Sequence, residues 1–475
     1  MQYVSTRGLA PALGFRDVLM AGLARDGGLY VPATWPVLTP ETIAGFAGRP
    51  YPEVAFAVIR PFVDGEISDR NLKEMCRAAY AVFRDDAVAP LTKLAPDQYV
   101  LELFHGPTLA FKDVAMQLLA RLMDHALTER GGRVTIVGAT SGDTGAAAIE
   151  AFRGRDHVDV FILFPEGRIS SFQQRQMTTT GADNVHPIAI RGTFDDCQAI
   201  VKGMFGNVAF RDRFALAGVN SINWARILGQ IVYYFTAAVA LGAPVRPVSF
   251  TVPTGNFGDI FAGYVAKRMG LPIETLVVAT NVNDILARTL AAGRYDVRGV
   301  TATSSPSMDI QVSSNFERLL FEAYGRDGAA IRLLMDSLAR TGSFDVAPEA
   351  LAAVRADFAA GRADETEVAA TIRDTYAATG FLADPHTAVG LAVARQFSKP
   401  GVPMVTLATA HPAKFPETVK AAAAVVPRLP AGFGDVMSRP ERYTTLANDR
   451  KAVEDHVAER SRVLTRDAVP ESVSR

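Results

Sequence analysis

One lysine and two glycine-rich turns hold most of the chemistry open to this 475-residue chain. Lys112 ends the run Glu102-Leu103-Phe104-His105-Gly106-Pro107-Thr108-Leu109-Ala110-Phe111 and precedes Asp113. Downstream lie Gly138-Ala139-Thr140-Ser141-Gly142-Asp143-Thr144-Gly145 and Thr254-Gly255-Asn256-Phe257-Gly258-Asp259. Each glycine turn follows an apolar strand-like run and opens a helical pattern, so unpaired backbone N–H groups and the helix dipole favour an anion there. Such a contact contributes about 0.3–1 kcal/mol when exposed and up to ~2 when partly buried. The apolar neighbours Leu109, Ala110 and Phe111 argue that Lys112 is partly buried. Burial disfavours the ammonium form and leaves the neutral amine that imine chemistry needs. Asp113 would cap the helix, or oppose that depression if its charge faced the lysine. A lysine with two cradles for negative charge suggests a covalently held, phosphate-bearing aldehyde, for which pyridoxal phosphate is the obvious candidate.

Each feature also has a plainer reading. The first turn lacks both the Gly-Lys-Ser/Thr ending of a nucleotide P-loop and the Gly-x-Gly-x-x-Gly spacing, so a tight strand–helix turn that binds nothing explains it equally. The second has the same placement, and two such turns are harder to dismiss than one. Asp259 beside a phosphate would repel it unless its side chain capped backbone N–H groups at the helix start. Lys112 taken alone would be a solvated helix-start lysine. In Asn220-Ser221-Ile222-Asn223-Trp224-Ala225-Arg226, the Arg226 fork suits phosphate or carboxylate and the asparagines offer amide donors. A surface ion pair is the commoner fate of an arginine. Thr409 offers a hydroxyl beside His411 at a strand end, where most threonines are structural. The seven histidines show no paired metal-ligand spacing, so no metal site is expected.

The elements that would position these residues are legible as short apolar strands alternating with helical patterns. Strands are expected at 99–103, 133–138, 158–164, 186–190, 248–252, 274–280 and 404–408. Helical spacing runs over 114–127 (Val114, Met116, Leu118, Leu119, Leu122, Met123), over 146–152 and over 260–269, which puts Lys112 at a helix start. Continuous apolar strands between helices imply α/β architecture with parallel sheet covered on both faces. Ligands then gather beyond the carboxyl ends of strands, where both glycine turns fall. Residues 1–95 show helix-like patterns broken by proline turns and form the expected N-terminal domain. Residues 96–435 form the expected catalytic core of two lobes, the smaller at about 125–215. Residues 315–395 read as mostly helical and alanine-rich, and 436–475 as a C-terminal helix and a loose tail over 469–475.

Bulk properties exclude several classes. Lys+Arg total 49 against Asp+Glu 50, which leaves no overall field for nucleic acid or a membrane surface. Cys76 and Cys197 are too few for a disulfide framework, so a reducing cytoplasm is the default. The first residues lack the blocks of a signal peptide. The apolar stretch 231–245 is short and carries two Tyr, a Gly and a Pro, so a buried helix is expected rather than a membrane span.

Taken together, these motifs resemble the threonine synthase family, in the branch with an N-terminal domain. That family is pyridoxal-phosphate-dependent and of the tryptophan-synthase-β-like fold (fold type II). The likeness covers nearly the whole chain. It includes Tyr3-Val4-Ser5-Thr6-Arg7-Gly8, the 23–32 segment, the Lys112 segment and both glycine turns, with Asn220 to Arg226, 307–318 and Ala408-Thr409-Ala410-His411-Pro412-Ala413-Lys414-Phe415 in the family's order. By that resemblance, Lys112 would hold the cofactor's aldehyde, Gly255, Asn256, Phe257 and Asp259 its phosphate region, and Thr409 its pyridine nitrogen. Thr140, Ser141, Gly142, Asp143 and Thr144 would receive the substrate carboxylate, and Asn220 and Arg226 the substrate phosphate. Asp143 replaces the Asn of many sister enzymes, as this branch does. The implied reaction takes O-phospho-L-homoserine and water to L-threonine and phosphate by γ-elimination and β-replacement. The small-molecule substrate would be met by a cytoplasmic monomer or small homo-oligomer. Rival readings are a dehydratase or phospholyase of the same fold that yields a 2-oxo acid, and a catalytically silent binding protein.

Overall fold

The computed structural model describes residues 1–463, and the tail expected at 469–475 lies outside them. The described chain divides into two compact units, one of Met1–Leu122 with Asn220–Gly434 and one of Met123–Val219 with the described residues from Asp435 on.

In the larger unit a six-stranded sheet runs in the order Phe358–Arg362, Ile273–Thr280, Val248–Pro253, Met404–Ala408, Gln98–Glu102, Leu91–Ala95. The first five are parallel and the last pair is antiparallel. Every residue of Val248–Pro253 and of Met404–Ala408 is buried, as their mainly apolar sequences, interrupted only by Ser249, Thr251 and Thr406, require of strands covered on both faces. The helix Trp224–Ala240 is buried nearly all round, and no described helix is long and apolar enough to cross a membrane.

Three features depart from the sequence reading. Phe358–Arg362 is an edge strand inside the stretch read as helical, because its pairing with Ile273–Thr280 is tertiary and leaves no local signal in Phe-Ala-Ala-Gly-Arg. The first 95 residues are not only helices: Tyr3–Ser5 pairs antiparallel with Tyr30–Pro32, and Leu91–Ala95 joins the six-stranded sheet across the expected boundary. The helices after the glycine turns begin earlier than expected, at Asp143 and Gly258, because the turns' own residues form the first helical turn.

The smaller unit holds an all-parallel sheet in the order Thr444–Ala447, Val185–Arg191, Val158–Pro165, Val134–Ala139, Leu216–Ala217. Thr444–Ala447 is a fourth departure, since a helix and tail were expected from 436; the helix Arg450–Arg460 follows it.

Candidate active site

Three neighbouring parallel strands of the larger unit end beside one another, and the loops that leave them carry the candidate groups. The loop to Lys112 follows Gln98–Glu102, Thr409 follows Met404–Ala408, and the Gly255 turn follows Val248–Pro253. This is the carboxyl edge where parallel sheets bind ligands.

Lys112 is the first residue of the helix Lys112–Arg130 and only 8% exposed, so it is not a solvated helix-start lysine. Its Nζ lies 4.8 Å from the centre of the Phe111 ring. The backbone leading to it is tied to the Thr409 segment twice, by Phe111 N–H to the Thr409 carbonyl (2.8 Å) and His411 N–H to the Leu109 carbonyl (3.0 Å). Asp113 does not cap the helix. Its carboxylate accepts the Thr108 N–H (2.7 Å) and hydroxyl (2.6 Å), which secures the turn before Lys112. Burial pushes the Asp113 carboxyl up to about 6, against the pull of those bonds and of the Lys414 charge. The buried Lys414 in turn donates to the Thr108 carbonyl at 2.8 Å. Thr409 is buried, and its hydroxyl makes no hydrogen bond among the described residues.

The second glycine turn is clamped from outside. A Cβ at Gly255 would lie 2.9 Å from the Ser307 carbonyl oxygen, so only glycine lets the 307–310 segment sit there. The Ser313 hydroxyl donates to the Gly255 carbonyl (2.6 Å), and both the N–H (3.1 Å) and the side-chain amide (3.0 Å) of Asn315 donate to the Asn256 carbonyl. Phe257 takes a left-handed φ of 62° at the helix N-cap and is locked between the Phe316 and Phe358 rings. The Gly255 and Asn256 carbonyls are thus bonded outward, while the Thr254 N–H is taken by the Ala279 carbonyl (2.8 Å).

Asp259 corrects an expectation. It caps no backbone N–H; its Oδ1 accepts the hydroxyls of Tyr233 and Tyr234, while its buried Oδ2 has no partner among the described residues. Burial pushes its carboxyl up to about 6, with the two tyrosine bonds and the Lys112 charge drawing it down. Sequence periodicity could have hinted at this, because Tyr233-Tyr234 lies two turns past Arg226 on one helix. Side chains of Ser221 and Ile227 pack at Gly258, which brings the Asn220–Arg226 segment to the same turn. Asn220 is exposed. Arg226 is buried, which excludes the surface ion pair, and desolvation pulls its guanidinium down to about 10.

In the smaller unit, the Thr140–Thr144 turn opens the helix Asp143–Phe152. The Thr140 hydroxyl oxygen accepts the N–H groups of Gly142 and Gly145, both at 2.9 Å. Gly142 stands at φ 137°, a conformation that side chains avoid. Asp143 is buried and accepts the Gln173 amide at 2.9 Å. The Ser141 and Thr144 hydroxyls make no hydrogen bond among the described residues.

Sequence gives several groups at the carboxyl edge no bonding role. Glu102 bonds His105 (2.8 Å) and the Thr92 hydroxyl (2.6 Å), and burial, with Arg84 and His105 nearby, pulls His411 down to about 4. His386, whose Nδ1 is 2.7 Å from the Asp384 carboxylate, accepts the Ser307 N–H at 3.3 Å, behind Gly255. Their only sequence signal is polarity within otherwise apolar runs.

The residues present suit pyridoxal phosphate. A buried lysine offers the amine for an aldehyde, a clamped glycine turn offers N–H groups for a phosphate, and a neutral unengaged hydroxyl stands at Thr409 for a ring nitrogen. Fold and site together define a pyridoxal-phosphate-dependent enzyme of fold type II. The chain matches the family model for pyridoxal-phosphate dependent enzymes over residues 89–362, the threonine synthase N terminus over 2–80 and the threonine synthase C-terminal model over 387–457. It is 54% identical to the threonine synthase of Pseudomonas aeruginosa, across 97% of this chain and 98% of that one. The crystal structure of pyridoxal-phosphate-bound threonine synthase from Brucella melitensis superposes with a TM-score of 0.96 at 62% identity, over 97% of this chain and 100% of that one. Yeast threonine synthase gives 0.92 at 39%, over 97% and 98%. The chain belongs to the threonine synthase family.

Proposed function

We propose that this chain converts O-phospho-L-homoserine and water to L-threonine and phosphate, with pyridoxal phosphate held at Lys112. One observation carries the site assignment: a buried helix-start lysine, a clamped glycine turn and a neutral hydroxyl leave three adjacent parallel strands at one edge. When bound, pyridoxal phosphate supplies an electron sink for charge developing on the amino-acid substrate.

The chain's own residues do the rest. Lys112 Nζ is assigned to hold the cofactor and then to move protons at the substrate's carbon atoms, a role that typically contributes about 10²–10⁴-fold. Gly255, Asn256 and Phe257 present backbone N–H groups to the cofactor phosphate, and Asp259 backs the nest. Thr409 Oγ1 would meet the ring nitrogen as a neutral hydroxyl, with no carboxylate there to favour its protonation. Arg226, with Asn220, is assigned the substrate phosphate; a desolvated guanidinium that burial makes less basic gains most from an anion. Thr140 to Thr144, with the N–H groups of their own helix start and the free hydroxyls of Ser141 and Thr144, are assigned the substrate carboxylate. Phosphate leaves from the γ-carbon, and water adds at the β-carbon. The buried free thiols of Cys76 and Cys197 support a cytoplasmic location, and a monomer or small homo-oligomer completes the proposal.

The test is to supply phosphohomoserine and pyridoxal phosphate and to measure phosphate and the organic product together. Equimolar threonine and phosphate are expected. Formation of 2-oxobutyrate and ammonia without threonine overturns the reading in favour of a phospholyase.

A further inference from the structure

Arg318 is completely buried, and its guanidinium makes no ion pair among the described residues. Its donors go to three separate stretches of chain. Nε donates to the Tyr30 carbonyl (3.0 Å), Nη2 to the Ile222 carbonyl (2.7 Å) and Nη1 to Asn315 Oδ1, while the Trp224 ring lies 5.7 Å away on one face. Burying a cation costs several kcal/mol unless its protons are met, and a planar fork meets three fixed directions that an ammonium on a flexible stem cannot. The three acceptors are not arbitrary. Tyr30 belongs to the N-terminal strand pair, Ile222 sits inside the Asn220–Arg226 segment, and Asn315 is the residue whose amide clamps the Asn256 carbonyl. The next residue back, Glu317, is gripped by the Thr6 hydroxyl (2.6 Å) and by Arg7 (3.0 Å), so the N-terminal segment holds this helix on a second side.

We propose that Arg318 is a positioning residue that sets the cofactor nest and the substrate-phosphate segment from one buried guanidinium, with the N-terminal strand pair as its third anchor. This gives the first residues of the chain a part in the chemistry. The inference rests on the reading of Asn256 and Arg226 under Proposed function.

Full-length Arg318→Lys, which keeps the charge and loses the fork, is titrated with pyridoxal phosphate by visible absorbance and then assayed for phosphohomoserine KM. Both constants are expected to rise together, each about tenfold, the effect of roughly one lost hydrogen bond at each site, with kcat changing far less. Asn315→Ala cuts only the branch to Asn256 and is expected to raise the cofactor Kd about tenfold while KM stays within about twofold. Glu317→Gln loosens the grip of Thr6 and Arg7 and should move both constants about threefold, which keeps the proposal testable if Arg318→Lys does not fold. A lowered unfolding temperature with neither constant changed in Arg318→Lys, or in Glu317→Gln if that is the variant that folds, overturns the proposal, as does an Asn315→Ala that shifts KM as much as Kd. Gly255→Ala separates the two levels. If it binds cofactor normally, the nest assignment itself has failed; if it binds poorly while Arg318→Lys binds normally, only the role of Arg318 has.

Discussion

The two glycine turns share a strand–loop–helix plan, yet they are held differently. The turn at 254–259 is fixed from outside: Ser313 and Asn315 bond its carbonyls, the 307–310 backbone presses on Gly255, and two phenylalanine rings enclose Phe257. The turn at 140–145 leans chiefly on itself: one threonine hydroxyl gathers the N–H groups of Gly142 and Gly145, and the Gln173 amide adds one bond from outside, to Asp143. An externally clamped nest suits a group that stays through many turnovers. A self-held turn with two unengaged hydroxyls suits a ligand that comes and goes. Sequence motif alone equates the two; the bonding around them does not.

The largest effect that could break this contrast lies at the amine. Lys112→Ala is expected to abolish covalent cofactor attachment and lower turnover about 10³-fold or more, while circular dichroism shows the fold unchanged. Next, Arg226→Ala should raise phosphohomoserine KM about 10- to 100-fold and leave the cofactor Kd nearly unchanged, since hydrogen bonds to charged groups contribute ~1.5–3 kcal/mol; equal losses in steady-state kinetics and cofactor titration would move Arg226 out of the substrate site. Gly255→Ala forces a methyl against the Ser307 carbonyl, an overpacking cost of ~1–3 kcal/mol, and should weaken cofactor binding about tenfold or more in an absorbance titration. Thr140→Val leaves two N–H groups unmet and should raise KM up to about tenfold with cofactor affinity intact. The same pattern from Thr140→Val and Gly255→Ala would erase the distinction between the turns.

The smallest effect concerns pH. Asp259 has a folded-state value near 6, above its ordinary 3.8, so the folded chain binds more protons between those values. Its contribution to stability is therefore fullest below about 3.8 and lost as pH rises through about 6. Asp259→Asn should flatten that decline in denaturant titrations of the cofactor-free chain between pH 4 and 7.

Much of the fold is legible because buried parallel strands announce themselves: Val158–Pro165 and Val248–Pro253 are rich in Val, Ile and Phe, buried throughout and bounded by turn residues. The strands Phe358–Arg362 and Thr444–Ala447 are not, since both lie at sheet edges and owe their form to a partner far away in sequence. The site divides similarly. Lys112 and the glycine turns are local patterns that the sequence displays. The braces are not local: Arg318 reaches Tyr30 across 288 positions, and Lys414 reaches Thr108 across 306. For Asp259, position at a helix start suggests capping, whereas the pair of buried tyrosine hydroxyls that claims its carboxylate lies on another helix.

Two lysines are buried near this edge, Lys112 and Lys414, and only the first is assigned the cofactor. Borohydride reduction of the cofactor-loaded protein, followed by proteolysis and mass spectrometry, separates them directly. The reduced pyridoxyl group is expected on the peptide carrying Lys112 and nowhere else. A label on Lys414, on another lysine, or on none would contradict the assignment on which the site rests.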